Sequence, residues 1–179
     1  MNVYLLRHAS AGTRRTNPKL DDKRSLDKDG KRHCLLLGHV LSNMKIQFDA
    51  VISSPLKRAV QTASLVGNET GFEQKIVFSS AMLPDAGYAG FERLINEHAG
   101  CEDILVVGHE PNISTFVGKL AAGGGKNARP AHIRMRKGSI AKFSLERGRT
   151  ELQWLIEPRS LRALYASSTK SSRRKTSRK

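Results

Sequence analysis

Short apolar runs alternate along this chain with longer stretches in which apolar residues recur every third or fourth position. Residues 3–6 (VYLL) are apolar, β-rich and unbroken, which predicts a strand buried on both faces. Residues 29–43 carry helical spacing, and 48–54 (FDAVISS) is again strand-like. The segment 55–68 (PLKRAVQTASLVGN) predicts a helix with Ser54 as N-cap and Pro55 at the first helical position. A third strand is expected over 75–80, a helix over 90–100 with a closing glycine, and a fourth strand within 102–111. A helix over 112–125 then runs into a glycine turn. The triple glycine at 123–125 reads as a loop, because no strand precedes it and no phosphate fingerprint spans it. Residues 138–145 and 149–157 alternate apolar and polar positions, as in a hairpin closed near Arg147 and Gly148, and a short helix follows over 159–166. Strand and helix in strict alternation predict an α/β fold: a three-layer α/β/α sandwich with a mostly parallel central sheet.

That topology has a chemical consequence. Parallel strands point the same way, and ligands bind in the crevice beyond their carboxyl ends. The first strand is followed by Arg7 and His8. The second is followed by Ser53, Ser54, Pro55 and, about one turn into the next helix, Arg58. The fourth is followed by Gly108, His109 and Glu110. Three distant segments thus bring two arginines and two histidines to one edge. Two guanidinium groups near one point suit a dianion, most naturally a phosphoryl group. His8 at their centre is biased toward neutral imidazole, whose lone pair can attack phosphorus to give a phosphohistidine that water then hydrolyses. Arg7, Arg58 and His109 would hold the equatorial oxygens, with no metal or other cofactor required. Ser10 is a further candidate phosphate donor, with a turn role as its alternative. His33, His39 and His98 fall on helices without ligand spacing and read as ordinary, partly exposed residues; His132 falls in a basic loop.

Composition narrows the setting. A chain of 179 residues is most simply one domain with a substantial core. No run is long and apolar enough to span a bilayer, and Met1 and Asn2 leave no room for a charged leader before the first apolar run. Two cysteines, Cys34 and Cys101, without CxxC spacing, suit a reduced, cytoplasmic setting. The formal net charge is +15, and no acidic residue follows Glu157. The segment 167–179 holds only small, polar and cationic residues, too little to order itself. The expected organisation is a folded domain over 1–166 and a basic, disordered tail over 167–179, either a solubilising tail or an arm for a polyanion.

The segments LLRHAS, ISSPLKRAVQTA and VVGHEPNIS resemble the histidine phosphatase superfamily, also known for its phosphoglycerate mutase-like fold. Ala9 stands where that family more often has glycine. KRSLDKDGKRH, MLPDAG and GHEPN are similar to segments of its phosphohistidine phosphatases of the SixA type, with Ser25 where proline is common. The resemblance covers about residues 1–157. It implies a phosphatase with His8 as nucleophile and Arg7, Arg58 and His109 as phosphate pocket. It leaves two candidates for the general acid. Glu110 follows the late histidine as in acid phosphatases, or else caps the following helix; Asp85, in LPDAG, is the other, with a turn role as its alternative. A weak acid suits phosphohistidine, whose P–N bond is labile and whose imidazole leaving group can take its proton from water.

The leading expectation is therefore dephosphorylation of phosphohistidine on a protein, such as a His-containing phosphotransfer domain, as part of signal transduction. A phosphatase of small phosphate esters or polyphosphate is the alternative within enzymes. A non-catalytic anion-binding module is the rival from another class, although aromatic residues amount to only 6% and no stacking platform for RNA is evident. The oligomeric state is not legible in the sequence.

Overall fold

Six strands, β1 (Asn2–Arg7), β2 (Ala50–Ser53), β3 (Val77–Phe78), β4 (Asp103–Gly108), β5 (Ile140–Glu146) and β6 (Arg149–Ile156), make one sheet in the computed structural model. The structure describes residues 1–124, 129–146 and 148–166, so the expected basic tail over 167–179 and the hairpin position Arg147 lie outside it. The strand order is β3-β2-β4-β1-β5-β6. The first four of these are mutually parallel; β5 and β6 add an antiparallel hairpin with an irregularity between Lys142 and Phe143. The helices are α1 (Pro18–Asp22), α2 (Lys28–Asn43), α3 (Lys57–Glu69), α4 (Tyr88–Glu97), α5 (Asn112–Ala121) and α6 over 158–166.

The two-residue period of the strands divides the core into two layers. Val3 and Leu5 of β1, with Ile104 and Val106 of β4, pack beneath Phe91 of α4 and Phe116 of α5, whose rings stack at 4.8 Å. Tyr4 and Leu6, with Leu105 and Val107, face Leu37 of α2, Ala63 and Val66 of α3 and Leu161 of α6. All of these are nearly or fully buried, and burying each large aliphatic side chain is worth roughly 1.5–3 kcal/mol. The result is the expected three-layer α/β/α sandwich.

Local readings depart from it in four places. The helix α3 starts at Lys57, with Leu56 as N-cap and no side-chain cap bond, so Ser54 and Pro55 precede it. The third strand shrinks to Val77–Phe78, an edge strand with both side chains exposed. α1 has no counterpart in the hydrophobic pattern, because none of its residues is buried. His33 is buried rather than partly exposed: its Nε2–H donates to the Gly138 carbonyl at 2.8 Å.

Candidate active site

β1 and β4 are neighbours in register, with Arg7 opposite Gly108, and β2 pairs with β4 on the other side with Ser53 opposite Val107. The carboxyl ends of the three strands therefore meet. The backbone beyond β1 is clamped: His8 N–H donates to the Gly108 carbonyl at 3.0 Å, Arg7 N–H to Ser139 at 3.0 Å, and Gly138 N–H reaches the carbonyls of Arg7 and His8. A cavity of about 610 Å³ opens at this edge, lined among others by Arg7, His8, Arg58, His109, Glu110 and Pro84.

α3 supports the site with one face. Arg58 enters the cavity; Gln61 Oε1 accepts from Leu26 N–H at 2.8 Å; Thr62 Oγ1 accepts from Ala9 N–H at 3.1 Å. Spacings of three and four residues put these side chains side by side on the helix. The long RAVQT signature is thus a pocket arginine followed by two struts that hold the chain after His8 and before α2.

The tautomer of His8 follows from its partner. Nδ1 lies 2.8 Å from the Ala9 carbonyl, which only accepts, so Nδ1 carries the proton and Nε2 keeps its lone pair. Burial holds the His8 imidazole down at about 3, with Arg58, Arg7 and Arg24 adding to the effect and the Ala9 carbonyl opposing it. His109 is held down at about 2, by burial first and then by His8 and the same arginines. The two rings sit 5.0 Å apart between centroids. Both are neutral at ordinary pH.

Three buried donors at this site lack an acceptor. Arg7 uses Nη1 on the Met135 carbonyl at 2.8 Å, leaving Nε without a partner. Arg58 uses Nη1 on the Asp21 carbonyl at 3.0 Å, again leaving Nε unpaired. His109 has Nε2 at 2.8 Å from Ser54 Oγ, leaving Nδ1 unpaired. Leaving a buried polar group unsatisfied costs about 1–3 kcal/mol each. Three such groups on residues lining one cavity, beside a free imidazole lone pair, fit an oxyanion with several acceptor oxygens. Burial also lowers both guanidinium pKa values, yet the groups stay charged.

The remaining expected residues are placed less centrally. Glu110 lines the cavity; its Oε2 accepts from Ser114 Oγ at 2.7 Å and lies 3.8 Å from Arg7 Nη1. It does not cap α5, whose N-cap is Pro111 without a side-chain bond. Asp85 is exposed, and it is Pro84 beside it that lines the cavity; Asn112 donates to the Leu83 carbonyl and ties this loop down. The Ser10 hydroxyl donates to Asp27 Oδ2 at 2.6 Å and so serves the start of α2, where Asp27 also caps Gly30 N–H at 2.7 Å. Arg24 and Asp21 join the site without a role in the sequence pattern. Arg24 folds the 11–24 segment over the cavity, donating to the Gly12 carbonyl at 2.8 Å and to Asp21 Oδ1 at 2.9 Å, while Asp21 Oδ2 sits 3.6 Å from Arg58. Arg24 and Asp27 belong to the KRSLDKDG segment, so the signal was present as a motif without roles. Among the described residues no helix is long and apolar enough to cross a membrane.

Residues 3–81 match the model of the histidine phosphatase superfamily, branch 1. Phosphohistidine phosphatase SixA of Escherichia coli strain K12 is 27% identical over 171 residues, covering 93% of this chain and 99% of its own. A solved structure of the protein histidine phosphatase SixA complexed with tungstate superposes with a TM-score of 0.79 at 22% identity, covering 90% of this chain and 99% of that one. An α-ribazole-5′-phosphate phosphatase structure from Escherichia coli superposes with a TM-score of 0.65 at 18% identity, covering 88% and 98%. The chain therefore matches the histidine phosphatase superfamily over residues 3–81 and shares its fold with the solved SixA structure.

Proposed function

We propose that this protein is a metal-independent phosphatase that forms a phosphohistidine at His8 and acts on phosphohistidine carried by a protein. The observation that carries the proposal is the set of three orphaned donors, Arg7 Nε, Arg58 Nε and His109 Nδ1, on residues that line the same cavity as His8, whose Nε2 keeps its lone pair. In the first step Nε2 attacks phosphorus and the bond from phosphorus to the substrate imidazole breaks. The electron pair of that bond stays on the departing ring, which takes a proton from water, directly or relayed by Glu110. In the second step water attacks the phosphoryl group, the P–Nε2 bond breaks, a proton goes to solvent, and inorganic phosphate leaves with His8 restored. The fixed cations neutralise charge as it spreads over the equatorial oxygens, without reorganising at the moment of reaction.

The similarity to SixA supports the substrate class, and so does the weak provision for a general acid. Asp85 is exposed and Glu110 is already engaged by Ser114 and Arg7. A poor acid handicaps cleavage of an alkyl ester more than cleavage of a P–N bond.

Acid-quench trapping with a labelled, histidine-phosphorylated phosphotransfer domain tests the reading. Label is expected on His8 and absent from a His8→Ala variant, which should lose at least about a thousandfold in turnover. Turnover confined to sugar phosphates or polyphosphate would overturn the substrate assignment. Phosphate binding without any turnover would make the protein an anion-binding module.

A further inference from the structure

The cavity mouth is flanked by two basic segments that the phosphoryl cradle does not use. One is the 12–24 segment, with Arg14 exposed on the cavity wall. The other is an extended strap over 129–137 (RPAHIRMRK). Its alternation turns Met135 inward, fully buried, and leaves Arg134, Arg136 and Lys137 exposed.

The strap is held rigidly against the site. A Cβ on Gly118 would meet the Ala131 carbonyl oxygen at 2.2 Å, and Ala131 N–H donates to the Gly118 carbonyl at 2.9 Å. Four residues earlier on α5, Ser114 Oγ accepts from Met135 N–H at 2.9 Å. The Met135 carbonyl in turn accepts from Arg7. Helix, strap and cradle arginine thus form one chain of contacts that fixes where the strap's cations stand.

Those cations are in excess. Each carboxylate at the cavity already has partners: Asp21 has Arg24 and Arg58, Asp27 has Ser10 and Gly30, and Glu110 has Ser114 and Arg7. Arg136 pairs with Glu157. Arg14, Arg134 and Lys137 have no hydrogen bond or ion pair to a described residue, although Lys137 stands near enough to Asp27 to help lower its pKa. Arg134 stands close enough to depress the Arg7 pKa, and Arg14 does the same to Arg58, so the free cations bracket the cradle from two sides. Like charges gathered without counter-charge are stabilised by an anionic partner.

We infer that Arg14, Arg134 and Lys137 form a docking rim for an acidic protein face surrounding the phosphorylated histidine. The inference rests on the phosphohistidine-protein reading above and adds the surface that selects the partner. The cations sit on two separate segments across an open mouth, an arrangement suited to a protein face. Among the described residues no aromatic side chain other than histidine lines the cavity, which does not favour stacked bases there.

The test uses the full chain and an acidic, histidine-phosphorylated phosphotransfer domain as probe, with Kd read in a His8→Ala background that does not consume it, comparing the native rim with Arg14→Glu/Arg134→Glu at low and high salt. The Kd for the domain should weaken by roughly tenfold or more in the variant, and the salt dependence of the native-rim Kd should flatten. The neutral pair Arg14→Ser/Arg134→Ser should give a smaller loss in the same direction. Hydrolysis of phosphoramidate should stay within about twofold, because the small substrate meets only the cradle. An unchanged Kd overturns the rim. So does a matching loss on phosphoramidate, which would assign the arginines to the cradle, or retention of RNA or long-chain polyphosphate in place of the acidic domain. Docking that behaves as stated while no phosphate is released from the domain leaves the rim standing and fails the catalytic reading instead.

Discussion

Ser54 Oγ lies 2.8 Å from His109 Nε2, joining the residue that follows β2 to the one that follows β4. Ser54 Oγ also accepts from Leu56 N–H at 3.3 Å, so its own proton is available to the imidazole. A serine that donates to Nε2 leaves the His109 proton on Nδ1, the buried nitrogen without a partner. The serine thereby makes the second histidine a neutral donor, with its unpartnered N–H on a residue that lines the cavity. Ser54→Ala should lower kcat by roughly 5- to 100-fold, the equivalent of about 1–3 kcal/mol for a lost buried hydrogen bond. Ser54→Thr should restore most of it. Nitrogen NMR of His109 should show mixed tautomers in the alanine variant alone, an outcome that a purely structural role would not produce.

The depressed imidazoles set a pH dependence. Unfolded histidines titrate near their ordinary 6.5, whereas His8 and His109 in the fold stay neutral down to about 3 and about 2. Between these limits the unfolded chain binds protons that the folded chain refuses. The fold is therefore unpenalised above pH 6.5 and loses up to about 1.4 kcal/mol per pH unit for each imidazole as pH falls below it. Urea midpoints should decline steadily on acidification from pH 7. Turnover should behave differently. The proposed nucleophile, His8, is already deprotonated, so kcat/KM should show no enzyme inflection near 6.5; one that persists across substrates of different phosphate pKa would contradict the His8 environment.

Arg58 offers a sharper test of the cradle. Its Nη1 is committed to Asp21, and its orphaned Nε–H remains for the ligand. Lysine keeps the charge but cannot serve both places at once. Arg58→Lys should reduce kcat/KM by roughly 10- to 150-fold, matching about 1.5–3 kcal/mol for a hydrogen bond to a charged group. Inhibition by inorganic phosphate should weaken in parallel. Unchanged phosphate inhibition would show that Nε does not face the oxyanion.

Much of this site was legible because the parallel topology needs only the strand pattern. Once the runs ending at Leu6, Ser53 and Gly108 are taken as parallel strands, Arg7, His8, Arg58 and His109 must converge at one edge. The residues that escaped are of two kinds. α1 buries nothing, so it leaves no hydrophobic period, and Asp21 and Arg24 are placed by the bond between them, by Arg15 N–H donating to Asp21 and by Arg24 donating to the Gly12 carbonyl. Ser54 stands beside Pro55 in a pattern that suits an N-cap, but the helix begins at Lys57 and the hydroxyl turns to His109 across the sheet. Local propensity carries no information about that longer-range partner. His33 likewise sits on a helix face whose burial depends on Gly138, distant in sequence.

The two acid candidates separate by substitution. Asp85 is exposed and makes no cavity wall, so Asp85→Asn should leave turnover of phosphohistidine within about twofold. Glu110 lines the cavity next to Arg7. Glu110→Gln keeps an acceptor for Ser114 but removes a transferable proton. It should slow a phosphate ester by roughly a hundredfold, the range for general acid catalysis, and phosphohistidine by about tenfold or less. Equal losses on both substrates, read as kcat ratios, would assign Glu110 to positioning Arg7 rather than to proton transfer.

The strap supplies the last test, because one atom controls it. Gly118 has no side chain where the Ala131 carbonyl oxygen approaches, and an added Cβ would lie 2.2 Å from that oxygen and 3.3 Å from Pro130 Cβ. The clash is with backbone, so relief requires the strap to lift. Lifting it stretches the Met135 bonds to Ser114 and Arg7 and frees the guanidinium from one of its anchors. Gly118→Ala should therefore destabilise the fold by about 1–3 kcal/mol, as overpacking does, and should also lower kcat/KM on a small phosphoramidate that never touches the strap. Gly100→Ala serves as control, since nothing lies within 4 Å of its Cβ position. Denaturant midpoints and turnover measured on both variants decide the matter. A Gly118→Ala protein that loses stability yet keeps full turnover would show that Arg7 holds its place without the strap.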